Sequence, residues 1–519
     1  MLARVPAWCY LPLLFLLYTT LAWLGSLEGE FAYRWAWVEG SNLLGIDDAY
    51  RYYLSKYAFT SGQIYAWDYV LPASTFFFGA INAFLGSEIF LARAVIVCFS
   101  LLGITCLYRA IRMMNLSLWT ALGAMAIYAL MPVVIIMNMS FYGEMLLLVI
   151  FSAAVFFYLR ERLLLAAFLI SLLPLARPEG IFLLAPFSLA LLMRRQYAAF
   201  LMTGASGFCF LLFLLYYFDG DLTLLYEWRV EIRRIWSLFV MPNTYAFPLL
   251  GTFNPLWVIP AAVGLLVPGM RRYWPIWSGA FLWLLFYSTL VATGLSSYES
   301  RYLIACFPAL TIGFAALVDY INNQVAKGLW AEYSRLFSVF LVVFIVGEHM
   351  LQIDPIKHRM GGERVPLQSM RVFNPEFVRL TSEDLEELSG MSRKISHLFA
   401  EHPRIDTLLV FNPDVFYSLS PYIARTDKRV FLAPLPQQVS IGVTGGSFFT
   451  YGQFGRKYAY FDLYEPKGAL DGIAIYAGYL DAPETIPRYS FGDRRLFVVG
   501  YRERLEPADL IDMPVQFYQ

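Results

Sequence analysis

Over its first two thirds the chain consists of long apolar runs separated by short polar interruptions. A membrane-crossing helix needs about 20 mostly apolar residues. Runs that meet or approach this length cover 7–26, 91–110, 116–137, 145–159, 163–176, 180–193, 197–218, 249–269, 275–293, 303–321 and 335–350, and each predicts an apolar helix. Several of the middle runs are short and need flanking polar residues to complete a crossing. Segment 70–87 is apolar too, and the basic residues decide its place. If it lies along or dips into the interface, the pairs Arg109/Arg112, Arg160/Arg162, Arg194/Arg195, Arg271/Arg272 and Lys327/Arg335 all fall on one side, as cytoplasmic loops rich in Lys and Arg require. If it crossed, the later basic loops would fall on the wrong side. The expectation is eleven spans with interfacial helices, the N-terminus inside and the C-terminal part outside.

Beyond residue 351 the pattern changes. Strand-like runs stand at 405–411, 429–433, 457–463, 473–478 and 495–500, and a helix is expected over about 382–400, with Ser382 as its cap. This predicts a small soluble α/β domain, long enough for a core of its own.

Composition sharpens the division. Of 519 residues, 59% are hydrophobic and only 15% charged, with a mean hydropathy of +0.56. Soluble chains are roughly 45–50% apolar and about 25% charged. This excludes an ordinary soluble enzyme and a disordered chain. With 39 basic against 39 acidic residues there is no field to attract a phosphate backbone, so nucleic acid is excluded as a partner. Residues 1–349 hold 38 of the charged side chains and residues 350–519 hold 40. The predicted class is a polytopic α-helical membrane protein, residues 1–350, with an extracytoplasmic α/β domain, residues 351–519. The five cysteines all lie in apolar stretches, with no disulfide framework or zinc spacing. The uncharged run from Val5 to Leu27 is too long for a signal-peptide core and reads as an uncleaved first helix.

The loops opposite the basic ones carry the acids. The first holds Asp47 and Asp48, followed by Tyr50 and Arg51; the second holds Glu144; the third is the Ala-Arg-Pro-Glu-Gly turn at 176–180, with Arg177 and Glu179. The fourth carries Arg229, Arg233 and Arg234, and the fifth Glu299 and Arg301. Charged groups at an apolar boundary tend to be paired or functional. A carboxylate there can take a proton from an acceptor hydroxyl, and arginine can hold a phosphate bidentately. Each feature also has a purely structural reading: a helix cap or an Asp48–Arg51 pair, a helix-start acid at Glu144, a tight turn at 176–180, and a local Glu299–Arg301 pair. The four histidines have no metal-ligand spacing, and Gly445-Gly446 lacks the lysine of a phosphate-binding loop.

The Asp47-Asp48 pair with its aromatic followers resembles the first external loop of the GT-C superfamily of integral-membrane glycosyltransferases. The similarity is to members using polyprenyl-phosphate sugars: lipid A aminoarabinose transferase, protein O-mannosyltransferases and mycobacterial arabinofuranosyltransferases. Residues 85–88 with Arg93, Glu144, the 176–180 turn and the Ser-Arg-Tyr-Leu run at 300–303 are similar to tracts of that superfamily and follow in its order. The resemblance covers about residues 1–350. It implies an inverting transfer at the outer face of a bacterial cytoplasmic membrane, with Asp47 as the base and Asp48 as runner-up. It also implies a polyprenyl-phosphate-linked donor held by Arg177 and Arg301, and a glycan, glycolipid or protein acceptor. Tyr50, Arg51, Glu179 and Glu299 are expected to position substrate; Glu144 orients the acceptor or a divalent cation. The chain departs from some members in having Tyr69-Val70-Leu71-Pro72 with no lysine, which passes a phosphate contact to Arg229, Arg233 or Arg234. The Trp-Trp-Asp tract of oligosaccharyltransferases is matched only in part by Ala66-Trp67-Asp68. A transporter or flippase for lipid-linked substrates, and an O-antigen-type polymerase or ligase, are the competing readings.

Overall fold

A computed structural model of the chain describes residues 10–24, 55, 72–85, 89–217, 255–292, 300–325, 329–351, 400, 405–410, 429–432, 473–478, 489–500 and 511–517. The described chain is mostly helical. In order it forms α1 (Tyr10–Leu24), α2 (Pro72–Leu85), α3 (Ile89–Met113), α4 (Leu118–Ala129), α5 (Pro132–Met137), α6 (Gly143–Leu159), α7 (Leu163–Ser171), α8 (Leu173–Ala176), α9 (Gly180–Met193), α10 (Tyr197–Met202) and α11 (Ala205–Tyr217). There follow α12 (Pro255–Leu265), a 3-10 helix (Pro268–Tyr273), α13 (Trp274–Ala292), a second 3-10 helix (Ser300–Cys306), α14 (Phe307–Tyr320), a π-helical turn (Ile321–Val325) and α15 (Leu329–Leu351).

Each apolar run expected to be helical contains helix. Among the described residues four runs are broken: the first at Leu130–Met131 before Pro132, the second at Leu172 before Pro174, the third at Thr203–Gly204 and the fourth at Leu266–Val267 before Pro268. Proline lacks the N–H that a helix interior requires, so it starts a new helix better than it continues an old one. Among the described residues two stretches, Phe90–Met113 and Tyr302–Asn323, are long and apolar enough to cross a bilayer unaided; α1, α2, α6, α9 and others are shorter and apolar. Large apolar side chains stand outward on helix after helix, among them Leu16, Phe208, Leu212, Phe281, Leu336 and Phe340.

The helices pack through small residues. A Cβ on Gly264 of α12 would overlap the carbonyl of Gly313 on α14, and one on Gly313 would overlap the carbonyl of Ala261. A Cβ on Gly279 of α13 would meet the Phe182 carbonyl of α9 at 2.7 Å. At these glycines the helix pairs are joined by close backbone approach. At one end of the bundle Ser117 caps α4, accepting from Thr120 N–H at 3.2 Å, while its own N–H donates to Asp319 Oδ1 of α14 at 2.7 Å.

The tail forms a five-stranded sheet of β1 (Ile405–Val410), β2 (Arg429–Leu432), β3 (Ile473–Gly478), β4 (Tyr489–Gly500) and β5 (Ile511–Phe517), ordered β2-β1-β3-β4-β5. The first four strands run parallel and β5 is antiparallel to β4. Parallel neighbours need crossover connections, as the α/β expectation supposes. Four expected strands are present and β5 is an addition. The expected strand at 457–463 and, except for Ala400, the expected helix at 382–400 lie outside the described residues.

Candidate functional site

The 176–180 turn is shaped by its proline. Arg177 precedes Pro178 and is extended at φ −152° and ψ 142°, which the pyrrolidine ring favours and which ends α8 there. Arg177 N–H donates back to the Leu173 carbonyl at 3.0 Å, and Gly180 N–H donates to the Arg177 carbonyl at 2.9 Å. Two glycines let this turn press on its neighbours. A Cβ on Gly180 would overlap the backbone of Leu173, and one on Gly143 would meet the Ala176 carbonyl at 2.6 Å and Arg177 Cδ at 3.2 Å.

This brings the starts of α6 and α9 together around one guanidinium. Arg177 Nη2 donates to Glu179 Oε1 at 2.7 Å and Nε donates to Oε2 at 3.2 Å, a bidentate fork, while Nη1 lies 3.3 Å from Glu144 Oε1. Both carboxylates stand where the helix macrodipole favours negative charge: Glu144 in the first turn of α6 and Glu179 at the N-cap of α9. The side chains are 13% exposed at Arg177, 2% at Glu144 and 10% at Glu179. Burial alone pulls the Arg177 pKa down, but Glu144, Glu179 and Tyr302 outweigh it and hold the guanidinium above its ordinary value.

A fourth group comes from the distant 3-10 helix. The Arg177 guanidinium lies 5.0 Å from the centre of the Tyr302 ring, a cation–π arrangement. Tyr302 is braced from α13: Trp283 Nε1 donates to its carbonyl at 2.7 Å, and its ring meets Tyr287 edge-on at 5.6 Å.

Helix α2 borders the same place. α2 packs against α3, α6 and α8. Ser74 Oγ, buried on α2, lies 2.9 Å from where a Gly143 Cβ would stand. Further along α2, Asn82 Nδ2 donates to Ser55 Oγ, so Ser55, which follows the Asp47-Asp48 pair in the sequence, is bonded to this helix. On α3, Arg93 is fully buried, its guanidinium 6.0 Å from the Phe141 ring centre.

Of the residues expected from the sequence to form a site, Glu144, Arg177 and Glu179 are brought together. Arg177, expected to hold phosphate, is engaged by two carboxylates. Arg301 lies in the 3-10 helix next to Tyr302. Asp47, Asp48, Tyr50, Arg51, Arg229, Arg233, Arg234 and Glu299 lie outside the described residues. Tyr302 and Ser74 are additions; the position of Tyr302 directly after Arg301 was the available signal for the first, and Ser74 had none. Among the described residues no three His, Cys, Asp or Glu side chains gather into a metal-binding group.

Arranged this way, Arg177 fixes two carboxylates and an aromatic ring from three chain segments, while the carboxylate oxygens can accept hydrogen bonds from hydroxyl groups. No family model matches the chain, and no curated protein matches it.

Proposed function

We propose that the protein is a polytopic membrane glycosyltransferase of the GT-C kind, with eleven spans and an extracytoplasmic C-terminal domain. It moves one sugar from a polyprenyl-phosphate donor to an acceptor hydroxyl outside the cytoplasmic membrane. The observation that carries the reading is the meeting of Glu144, Arg177, Glu179 and Tyr302 at helix ends of a charge-poor body. Stretches expected to be the second, third and fifth external loops supply them, so charge concentrates where a lipid-borne sugar would meet a polar acceptor. The outward apolar side chains support a bilayer around the helices.

In this mechanism Asp47 removes the acceptor proton as the hydroxyl oxygen attacks the anomeric carbon, and the bond to the lipid phosphate breaks with inversion. Asp48, Tyr50, Arg51 and Glu299 position the reactants. The leaving phosphate already spreads its charge over several oxygens, so fixed cations and orientation supply most of the stabilisation. Arg301, Arg229, Arg233 and Arg234 take the phosphate. Arg177 acts by holding Glu144 and Glu179 where they can accept from sugar or acceptor hydroxyls.

The test uses purified full-length protein with a panel of polyprenyl-phosphate monosaccharides and cell-envelope acceptors, following polyprenyl phosphate release and glycosylated product by mass spectrometry. Asp47→Asn is expected to abolish product; full activity in that variant removes Asp47 as base. Passage of intact donor across vesicles with no glycosyl product replaces transfer with transport. Consumption of a diphosphate-linked oligosaccharide instead favours a polymerase or ligase.

A further inference from the structure

Charge gathers a second time at the opposite ends of α6 and α9, where two turns share one geometry. Arg160 closes α6, Glu161 takes the left-handed conformation at φ 55°, and Arg162 N–H donates back to the Phe157 carbonyl at 3.0 Å. Arg194 closes α9, Arg195 takes φ 59°, and Gln196 N–H donates back to the Leu191 carbonyl at 2.9 Å. This bonding fixes a helix end tightly, so both turns present their arginines from a rigid backbone.

Two of the side chains are fixed as well. The Arg160 guanidinium lies 5.0 Å from the Phe156 ring centre and that of Arg194 lies 5.0 Å from the Tyr158 ring centre. Arg194 Nη1 also reaches Glu161 Oε2 at 3.4 Å, which joins one turn to the other. Arg162 and Arg195 are exposed and make no ion pair among the described residues. The two turns thus carry four arginines and one acid. Next to them Leu164, Leu165, Leu192, Met193, Tyr197 and Leu201 stand exposed.

We propose that this twin turn is a binding site for an anionic phospholipid. Its phosphodiester sits among Arg160, Arg162, Arg194 and Arg195, and its acyl chains run along the neighbouring apolar side chains. A guanidinium resting on a ring keeps its edge N–H groups for phosphate oxygens. Sidedness alone asks only for positive charge in the loop; matched turns, ring-held guanidiniums and an adjoining apolar wall fit one bound molecule with a charged head and greasy tails. A free phosphate would leave that wall unused. The proposal goes beyond glycosyl transfer and needs only that the helical body lies in a bilayer.

The full-length protein in neutral detergent is titrated with phosphatidylglycerol, phosphatidylcholine or inorganic phosphate, and bound lipid is counted by native mass spectrometry with no glycosyl substrate present. Phosphatidylglycerol is expected to bind at least about tenfold more tightly than phosphatidylcholine. Near an anionic headgroup each arginine is worth enough that Arg162→Gln with Arg195→Gln weakens it about 30-fold. The Lys pair at the same positions, which keeps the charge, holds affinity within about fivefold. Arg271→Gln with Arg272→Gln, the same charge loss elsewhere on the basic side, leaves it within about twofold. Equal weakening by the two Gln pairs overturns the site in favour of diffuse surface charge. Inorganic phosphate binding as tightly as the lipid overturns the lipid assignment.

Discussion

Replacing Arg177 by Gln probes its cluster with Glu144, Glu179 and Tyr302 directly. The substitution keeps much of the side-chain length but removes the charge, the fork to Glu179 and the ion pair to Glu144. Glu144 is then the exposed weakness of the variant, because its side chain is only 2% accessible and water cannot replace the lost cation. Removing one partner of a buried pair typically costs about 3–5 kcal/mol, most of it the penalty of the orphaned charge. Lys at this position retains the charge but not the fork or the flat face toward Tyr302, which sets its cost at about 1–3 kcal/mol. Adding Glu144→Gln to Arg177→Gln removes the orphaned carboxylate, so the double variant should regain about 2 kcal/mol relative to Arg177→Gln alone. Equilibrium unfolding of the full chain in mixed micelles, followed by tryptophan fluorescence, gives all four values. An Arg177→Gln variant within about 1 kcal/mol of the parent, or a double variant weaker than the single, would refute the buried-pair reasoning.

Further outcomes follow from the packing and the turns. Gly313→Leu drives a side chain into the Ala261 carbonyl of α12 and should cost about 3 kcal/mol or prevent folding, read as loss of monodisperse protein in detergent chromatography, whereas Gly207→Ala, where an added Cβ meets nothing, should change little. Arg195→Gly relieves a left-handed residue at φ 59° and should stabilise by about 1 kcal/mol in neutral detergent, measured by the same unfolding titration. Ser117→Ala removes the cap of α4 and should destabilise by about 1 kcal/mol, with faster amide hydrogen exchange confined to residues 118–122.

The apolar runs announce the helices because a helix in an apolar setting has to be apolar over its whole length. They announce the breaks less well: Pro132, Pro174 and Gly204 stood inside runs that otherwise read as continuous. The last strand is hidden for a different reason. Pro514 reads against a strand, yet β5 lies at the sheet edge, where a missing N–H is tolerated. In the cluster, Glu144, Arg177 and Glu179 are legible as charges at the ends of apolar runs. Their pairing is not, since the contact depends on Gly143 and Gly180 allowing two backbones to touch. The expectation that Arg177 holds phosphate says nothing of the two acids that reach it from separate helix starts. Tyr302 completes the group across 125 residues of chain, a distance that spacing in sequence cannot bridge.

The bond between Ser55 and Asn82 works as a tether. Seven residues separate Asp48 from Ser55, so whatever path they take, Asp48 can lie no farther than about 25 Å from that anchor. A single amide on α2 thus bounds how far a carboxylate pair that it never needs to touch can stand from that helix.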